Sequence, residues 1–532
     1  MDIVADQFVG VSEIAEIAGV SAAAVVNWRN RGTRGFPSPA HEGKNGPMYR
    51  LGDVQAWLDK RGSAPSGQNG LSTLGESVLW AAADKLRGAV DTSQYRHVVL
   101  TLLFLRRVLG SITPDSLLVR PKGTSWDALL ECRPEALPAL LDETSDAVEL
   151  ANPFLRGVLP RPFGSATIDS RRIAELVELI AKLPVGKSDD QLGRVYEYFL
   201  GRFAAQEGRS GGEFYTPESI VELLAEVVQP LSGSVYDPCC GSGGMFVQSE
   251  RVKRAHSTED VDLRVFGQEM NPGTWRLARM NLAMHDIDAD LGAGPGDTFH
   301  CDRHPGLQAD YILANPPFNI SDWGGTELED DPRWAFGTPP RGNANYAWLQ
   351  HIWSKLAPGG RAGVVLSNGA LSSDQGGEAE IRRGLIRAGA VEGIVALPPQ
   401  LFFSTTIPVT VWFLSKRAST FKEVLFVDAR ELGVRTSRTH RALTPDNIEL
   451  IAAEFAALRG GRFASTAGFS AVADQAQIEA SGWSLVPSRY VGTDGEVGDL
   501  PSLDTAVTEY LDTLAETRAL GDRITELLER RA

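Results

Sequence analysis

The chain has 532 residues, of which 43% are hydrophobic and 23% charged, a composition typical of globular proteins and not of fibrous or disordered ones. Its length exceeds what one hydrophobic core usually supports, so roughly two to four domains are expected. A formal net charge of −16 argues against wrapping of a polyanion by the whole surface, and four cysteines without zinc spacing exclude a disulfide framework or zinc centre. No secretory signal and no apolar run of membrane-spanning length are apparent, so a cytoplasmic location without membrane contact is expected.

Residues 1–62 predict a small module built on two short helices. Ser12 and Ser21 are placed to cap helices on either side of a turn at Gly19. The pair resembles a helix-turn-helix. The strand and helix expected over 48–58 resemble those that follow it in winged, MerR-like modules.

Residues 29–50 hold five basic side chains and one acidic one, which favours a DNA-facing patch. The candidate DNA-binding residues are Arg29, Arg31, Arg34, Lys44 and Arg50. Small modules of this shape also bind proteins, so both kinds of partner remain open. Trp28 and Trp57 are expected in the core of the module.

A polar Gly/Ser/Pro run over residues 63–70 is typical of a flexible linker. Apolar residues then recur at helical spacing from 71 to 205, which predicts a helical domain.

Between residues 206 and 430, short β-rich runs alternate with helical stretches. The predicted strands centre on 234–236, 265–267, 311–313, 362–366, 393–397, 409–414 and 424–427. This alternation predicts an α/β fold, a doubly wound and mostly parallel sheet with helices on both faces. Ligands of such sheets bind beyond the carboxyl ends of the strands. Lys355 and Arg361 are expected on a solvated face.

A glycine loop follows the first predicted strand. That strand ends at Asp237, and the sequence Asp-Pro-Cys-Cys-Gly-Ser-Gly-Gly then leads into a run that can open a helix. The order of strand, glycine loop and helix lets a backbone approach a nucleotide-like ligand, although a tight turn alone gives the same pattern. Cys239 and Cys240 have no base-like neighbour and are expected to pack within the loop.

Two further acids follow at similar positions. Glu269 comes after the second strand, where its carboxylate could accept hydrogen bonds from ribose hydroxyls. Asp297 could accept one from an adenine amine.

The third strand is followed by Asn315-Pro-Pro-Phe318, which suits chemistry on a planar amino group. The Asn315 side-chain oxygen and the Pro316 carbonyl can both accept hydrogen bonds from an amine, and prolines hold the turn stiff without donating. Phe318 can stack on a heterocyclic base. A strand that merely ends at Asn-Pro-Pro is the alternative.

Two later segments remain open in function. Residues 319–345 form a long polar connection that is either a substrate loop or a disordered surface excursion. Within the C-terminal region, 431–532, apolar residues from 505 to 531 predict an amphipathic helix that docks on a partner or on its own body.

Together these motifs resemble S-adenosylmethionine-dependent amino-group DNA methyltransferases, and in more detail the methylation subunit of type I restriction-modification systems. The motif at 237–244 corresponds to the cofactor motif and Asn315–Phe318 to the catalytic one, in the order of the gamma class of adenine-N6 enzymes. The resemblance covers about residues 71–495 through further motifs at 79–105, 212–217, 397–402 and 483–490.

The resemblance implies methyl transfer from S-adenosylmethionine to the N6 amine of an adenine rotated out of double-stranded DNA. It also implies a specificity subunit as partner and, where a nuclease accompanies it, a restriction subunit. The residues implied in cofactor binding are Tyr215, Thr216, Pro217, Asp237, Pro238, Gly241, Ser242, Gly243, Gly244, Glu269, Asp297 and Asn315. Those implied in catalysis are Asn315, Pro316, Pro317 and Phe318.

Two alternatives of other kinds remain. The same chemistry could act on another planar amine, such as RNA or a protein glutamine side chain. The chain could also be a DNA-binding regulator whose cofactor site is vestigial, although the presence of Asp237, Glu269, Asn315 and Phe318 argues against this.

Overall fold

A computed structural model describes residues 90–110, 116–164, 169–183, 191–207, 215–257, 262–402, 407–417, 423–437 and 440–492, with scattered positions before residue 90. The chain forms two compact units. The first comprises residues 1–218, 231–305 and 402–405, and the second comprises 219–230, 306–401 and 406–532. Within the described ranges, no helix is both long and apolar enough to cross a bilayer.

The N-terminal residues contain a three-stranded antiparallel sheet in the order β1-β3-β2. Its strands are β1 (Phe8–Val9), β2 (His41–Gly43) and β3 (Gly46–Arg50). Trp57 is buried, which confirms that it belongs to the core.

Most of the predicted N-terminal features lie outside the described residues. These are the two helices around Gly19, the linker at 63–70, Trp28, Arg29, Arg31, Arg34 and Lys44. Arg50 is exposed at the end of β3. The helix-turn-helix and its DNA-binding residues therefore stay predictions, as does the helix over 505–531, which is also outside the described part.

The predicted helical domain is confirmed by the five helices that the described residues form between 90 and 207. They are α1 (Thr92–Leu109), α2 (Trp126–Leu130), α3 (Leu137–Ala151), α4 (Ser170–Ala181) and α5 (Gln191–Glu207). The side chain of Asp91 caps α1 by accepting a hydrogen bond from the backbone N–H of Ser93. Trp80 packs edge-on against Phe199 and Phe203 of α5, which places large aromatic side chains in this core.

Three parallel strands complete the first unit in the order β4-β5-β6. They are β4 (Gly233–Asp237), β5 (Leu263–Gly267) and β6 (Ala289–Asp290), and the connecting helices are α7 (Gly244–His256) and α8 (Pro272–Met284). Each connection is a strand–helix–strand crossover, as predicted for an α/β fold.

Asp286, just after α8, links this sheet region to the helical region. It has φ of 55° and lies in a turn that few non-glycine residues adopt. Its carboxylate accepts hydrogen bonds from Arg107 Nη2 at 2.6 Å, Ser116 Oγ at 2.6 Å and the backbone N–H of Leu117 at 3.1 Å. One side chain therefore holds the segment that follows α1.

In the described part of the second unit, six strands pair in the order β14-β11-β9-β10-β8-β7. Their bounds are β7 (Ala309–Ala314), β8 (Leu356–Ser367), β9 (Val391–Ala396), β10 (Val409–Ser415), β11 (Glu423–Asp428) and β14 (Ser470–Asp474). A separate hairpin joins β12 (Val434–Arg435) to β13 (Arg441–Ala442). The helices are α6 (Glu218–Val228), which leads in from the first unit, α9 (Asn345–Lys355), α10 (Glu378–Arg387), α11 (Pro445–Arg459) and α12 (Gln475–Ala480).

Strand directions define one functional edge of this sheet. β7 pairs parallel with β8, and β9 pairs parallel with β11, whereas β10 is antiparallel to both β8 and β9. The carboxyl ends of β7, β8, β9 and β11 therefore meet at the same edge. The sheet also extends past residue 430, because β14 pairs antiparallel with β11.

Residues 319–345 are folded within the second unit. Trp323 and Trp334 are buried and meet edge-on, and the Trp334 indole N–H donates to the carbonyl of Leu328. Gln350 of α9 bonds to Phe336 N–H and to Gly337 O, so the segment is fixed along its length. A disordered excursion is thus contradicted, while a substrate role stays a prediction.

The expectation of a solvated face for Lys355 was wrong, since this side chain is buried at the end of α9. Arg361 is half-buried, and desolvation lowers the pKa of its guanidinium to about 10. A basic residue in this sequence context therefore does not by itself indicate an exposed position.

Gly363 of β8 is expected to tolerate no side chain. A Cβ atom there would lie 2.4 Å from Leu224 Cδ2 of α6 and 3.2 Å from Phe413 Cε1 of β10. Gly363→Ala should therefore lower the free energy of unfolding by about 1–3 kcal/mol through overpacking, as measured by urea denaturation. Gly342→Ala is the matched control, because a Cβ at that position meets no atom within 4 Å. Equal stability of the two variants would contradict the prediction.

Candidate active site

Strand β4 of the first unit ends at a buried acid. Asp237 is 2% exposed, and its Oδ1 atom accepts a hydrogen bond from the backbone N–H of Cys239 at 2.9 Å. Burial raises the pKa of this carboxyl to about 7, because little water reaches the charged form, and the negative charge of Glu269 acts in the same direction. Acids held in this way are typical of ligand sites.

Replacement of this acid by an amide is expected to stabilise the protein at neutral and higher pH. The pKa of the Asp237 carboxyl is 3.8 in its ordinary state and about 7 in the folded protein. Between these two pH values the folded state therefore binds more protons than the unfolded state, and the protein loses stability as the pH rises through this range. Asp237→Asn keeps an acceptor for the Cys239 N–H without the charge. Thermal melts should show a gain of a few degrees at about pH 8 that shrinks toward pH 4. A gain independent of pH would contradict this cause.

The glycine loop between β4 and α7 is shaped by left-handed residues. Gly241 has φ of 54° and Gly243 has φ of 80°, and Gly243 is the N-cap of α7. A Cβ atom on Gly241 or Gly244 would meet nothing within 4 Å, whereas one on Gly243 would contact Leu282 at 3.3 Å. The carbonyl of Ser242 accepts a hydrogen bond from Asn281 Nδ2 at 2.9 Å. Open space thus borders the loop at Gly241 and Gly244.

Glu269 closes one side of this space. Its Oε2 atom accepts from the backbone N–H of Gly241 at 3.1 Å, and its Oε1 atom accepts from the N–H of Asn271 at 2.7 Å. These two bonds fix the carboxylate beside the glycine loop, and a carboxylate is a group that accepts hydrogen bonds from vicinal hydroxyls. The sequence predicted the acid but not its bond to Gly241, which joins the two strand ends.

Asp297 lies in a loop attached to the same strand ends. The backbone N–H of Gly296 donates to Glu269 O at 2.9 Å, and the buried Gln268 side chain bonds to the carbonyls of Gly296 and Cys301. Asp297 itself accepts from the N–H of Phe299 at 2.8 Å, and its side chain is 38% exposed. Gln268 is a positioning residue that sequence reasoning missed, since a single buried amide carries no pattern.

Four other predicted cofactor residues lie in the segment just before α6 or in the glycine loop. The Tyr215 ring packs against Gly201, where a Cβ atom would lie 3.3 Å from its Cζ. Pro217 is buried and Thr216 half-buried. Pro238 accepts a hydrogen bond through its carbonyl from the Thr298 hydroxyl.

Burial raises the pKa of both the Cys239 and Cys240 thiols well above the ordinary value. Thiols that stay protonated at neutral pH are poor nucleophiles. This agrees with the packing role expected for the pair.

In the second unit, the motif predicted to be catalytic follows β7. Asn315 is 9% exposed, Pro316 is buried, and Pro317 and Phe318 are half-buried. The next residue, Asn319, has φ of 54°, a left-handed conformation that asparagine adopts more readily than most residues. The backbone therefore turns sharply after Phe318.

A hydrogen-bonded cluster holds this turn. Asn345 Oδ1 accepts from the backbone N–H of Asn319 at 3.0 Å, and Asn345 Nδ2 donates to Asn319 Oδ1 at 2.9 Å. Ser367 Oγ, at the end of β8, donates to Asn319 Oδ1 at 3.1 Å. Asn345 and Ser367 are 2% and 4% exposed. Sequence reasoning missed both, because they stand 26 and 48 positions from Asn319.

Comparison with known proteins bears on this arrangement. A sequence profile described as N-6 DNA Methylase matches residues 187–498, and one described as HsdM N-terminal domain matches residues 76–183. The chain is 43% identical over 372 residues to the type I restriction enzyme HindI methylase subunit of Haemophilus influenzae, which covers 68% of this chain and 84% of that protein. It is 33% identical over 510 residues to the type I restriction enzyme MjaIX methylase subunit of Methanocaldococcus jannaschii. This match covers 85% of this chain and 91% of that protein.

A solved structure agrees with these relatives. The type I restriction-modification system methyltransferase subunit from Streptococcus thermophilus matches with a TM-score of 0.64 and 25% identity, over 78% of this chain and 98% of that chain. The α/β fold with a helical domain before it is thereby confirmed. Because the first profile spans more than half of the sequence, and relatives above 30% identity cover more than two thirds of it, the chain belongs to the N-6 DNA methylase family, among the methylase subunits of type I restriction enzymes.

Proposed function

We propose that this protein transfers a methyl group from S-adenosylmethionine to the N6 amine of adenine in DNA, as the modification subunit of a type I restriction-modification system. The observation that carries the proposal is the turn after β7, where a nearly buried carboxamide and a half-buried aromatic ring directly precede Asn319, the residue that the side chain of Asn345 holds by two hydrogen bonds. Relatives named type I methylase subunits support it.

The chemistry requires an amine whose lone pair is released from its heterocycle. Asn315 Oδ1 and the carbonyl of Pro316 accept hydrogen bonds from the two amine hydrogens, which favours a tetrahedral nitrogen and frees the lone pair. Neither Pro316 nor Pro317 has a backbone N–H, so neither proline adds a donor of its own next to these acceptors. Loss of the amine proton to solvent completes the reaction.

Phe318 offers its ring to the extruded base. Removal of an adenine from the duplex costs a few kcal/mol, and stacking on an aromatic side chain recovers roughly 1–3 kcal/mol per base. The gain depends on a fixed ring, and the left-handed turn at Asn319 fixes the backbone next to it.

The glycine loop suits the nucleoside part of the cofactor. Space beside Gly241 and Gly244 admits a ligand close to the backbone, and the half-buried Glu269 carboxylate can accept from ribose hydroxyls. Asp297 would accept from the adenine amine, and Tyr215 to Pro217 would flank the methionine end. When bound, S-adenosylmethionine supplies an electrophilic methyl group on sulfur. No covalent protein nucleophile is needed, in agreement with the raised pKa of Cys239 and Cys240.

Double-stranded DNA, a specificity subunit and a restriction subunit are the proposed partners, and cellular DNA as substrate implies action in the cytoplasm. The net charge of −16 favours division of DNA binding between subunits, because phosphate contacts by basic residues supply most non-specific affinity.

The decisive test is product analysis. The full chain, assembled with its specificity subunit, is incubated with isotopically labelled S-adenosylmethionine and unmodified genomic DNA, with RNA and protein substrates in parallel. Digestion to nucleosides and mass spectrometry should show labelled N6-methyladenine from DNA alone. Labelled RNA, labelled glutamine in protein, or the absence of any labelled product would overturn the proposal.

A further inference from the structure

The β12–β13 hairpin carries two like charges that its own fold leaves unneutralised. Arg435 and Arg441 are direct register partners across the antiparallel pair, so their side chains share one face. Like charges in this position destabilise a sheet. Within the described residues, no carboxylate forms an ion pair with either guanidinium. Residues 432–445 contain no acidic residue at all.

The hairpin presents these side chains from a fixed backbone. The N–H of Gly433 donates to Asn447 Oδ1 at 3.0 Å, and Asn447 also belongs to the capping box of α11. The N–H of Arg441 donates to the carbonyl of Gln400 at 2.9 Å. Arg435 is exposed and Arg441 half-buried. Both strands of the hairpin are thus anchored, and both arginines are at least partly exposed to solvent.

Its position coincides with the catalytic edge of the second unit. The hairpin follows β11, and Gln400 lies in the segment that follows β9. Strands β9 and β11 run in the same direction as β7, and β7 is followed by Asn315. The two arginines therefore place positive charge at that edge, although the chain as a whole has a net charge of −16.

We propose that Arg435 and Arg441 bind backbone phosphates of the DNA next to the target adenine, an inference that rests on the proposed function. A planar guanidinium matches a phosphate with two parallel hydrogen bonds, and a polyanion between two arginines removes their mutual repulsion. The hairpin is thereby a DNA-binding element separate from the N-terminal module. A cluster of carboxylates on a protein subunit would also neutralise the two arginines. The experiment distinguishes binding of DNA phosphates from binding of such a subunit.

The test is the salt dependence of DNA binding by the full chain assembled with its specificity subunit. Fluorescence anisotropy with a duplex that contains the recognition site, and with one that lacks it, gives log Kobs against log salt concentration. Loss of two phosphate contacts in Arg435→Ala/Arg441→Ala should reduce the slope by about two for both duplexes. Arg435→Lys/Arg441→Lys should keep the slope, since the charges remain.

Arg417→Ala/Arg462→Ala is the matched control. Both arginines are exposed in the second unit and lie at the opposite edge of the sheet, where Arg459 of α11 pairs with Glu392 at the start of β9 at 2.8 Å. This pair makes the same change in net charge and should leave the slope unchanged. An unchanged slope in the hairpin variant, an equal change in the control, or loss of subunit assembly in size-exclusion chromatography would overturn the proposal. Absence of adenine methylation by the wild type would refute the proposed function instead, since the slope is measured without methyl transfer.

Discussion

Asn315→Ala is expected to slow methyl transfer by at least about 100-fold while the protein keeps its fold and most of its affinity for S-adenosylmethionine. The alanine removes the acceptor that draws the amine nitrogen toward a tetrahedral shape, and loss of one such preorganised group typically costs roughly 10²–10³ in rate. Single-turnover methylation of a recognition-site duplex measures the chemical step, and calorimetric titration measures cofactor binding.

A buried amide elsewhere provides the control for this variant. Asn152 is 1% exposed and bonds to the backbone of Val119 and Val148 in the helical region of the first unit. Asn152→Ala should reduce stability but leave the rate per folded molecule near that of the wild type. A normal rate in Asn315→Ala, with methylated adenine still formed, would show that the carboxamide is not the acceptor.

Asn345→Asp is expected to lower the rate roughly 10–100-fold with little change in cofactor affinity. The substitution preserves shape but places a carboxylate oxygen against Asn319 Oδ1, where the native amide donates at 2.9 Å. An unmet buried acceptor costs about 1–3 kcal/mol, and the strain falls on the turn that fixes Phe318. Single-turnover methylation of an adenine-containing duplex measures methyl transfer. Fluorescence of a second duplex, in which 2-aminopurine replaces the target adenine, measures base extrusion.

Two readouts distinguish this role from a general loss of stability. The introduced carboxyl group donates when protonated, so activity relative to wild type should rise as pH falls. Asn319→Gly removes the opposing oxygen and suits a φ of 54°, so the double variant with Asn345→Asp should recover part of the rate. Additive losses with no dependence on pH would contradict a positioning role.

Much of the fold was predictable because its strands have simple patterns. Val424 to Val427 and Ile312 to Ala314 are buried apolar runs, and runs of this kind mark strands in α/β proteins. The direction of β10 was not predictable, since Val409 to Leu414 is buried on both faces and looks the same whether it runs parallel or antiparallel. Direction depends on the connections, which carry no periodic signal.

The site divides in the same way. Asp237, Glu269 and Asn315 could be predicted as site residues because each lies at the end of a recognisable strand or precedes a proline. Gln268, Asn345 and Ser367 form hydrogen bonds to residues distant in the sequence, so only three-dimensional contact reveals them. The register of Arg435 with Arg441 is likewise a property of the folded hairpin. Short motifs therefore predict candidate ligand-binding groups, whereas the residues that hold those groups in place appear only in the folded structure.

The left-handed turn at Asp286 limits how this protein could be recombined with its relatives. Its carboxylate gathers contacts from Arg107, Ser116 and the backbone of Leu117, all of which come from the helical region. A chimera that exchanges only the helical region would inherit foreign groups opposite an unchanged acid. Crossover points that transfer α1 and α8 together keep Asp286 with the groups that donate to it. Chimera libraries built in this way should yield more folded hybrids than libraries with a crossover at residue 205.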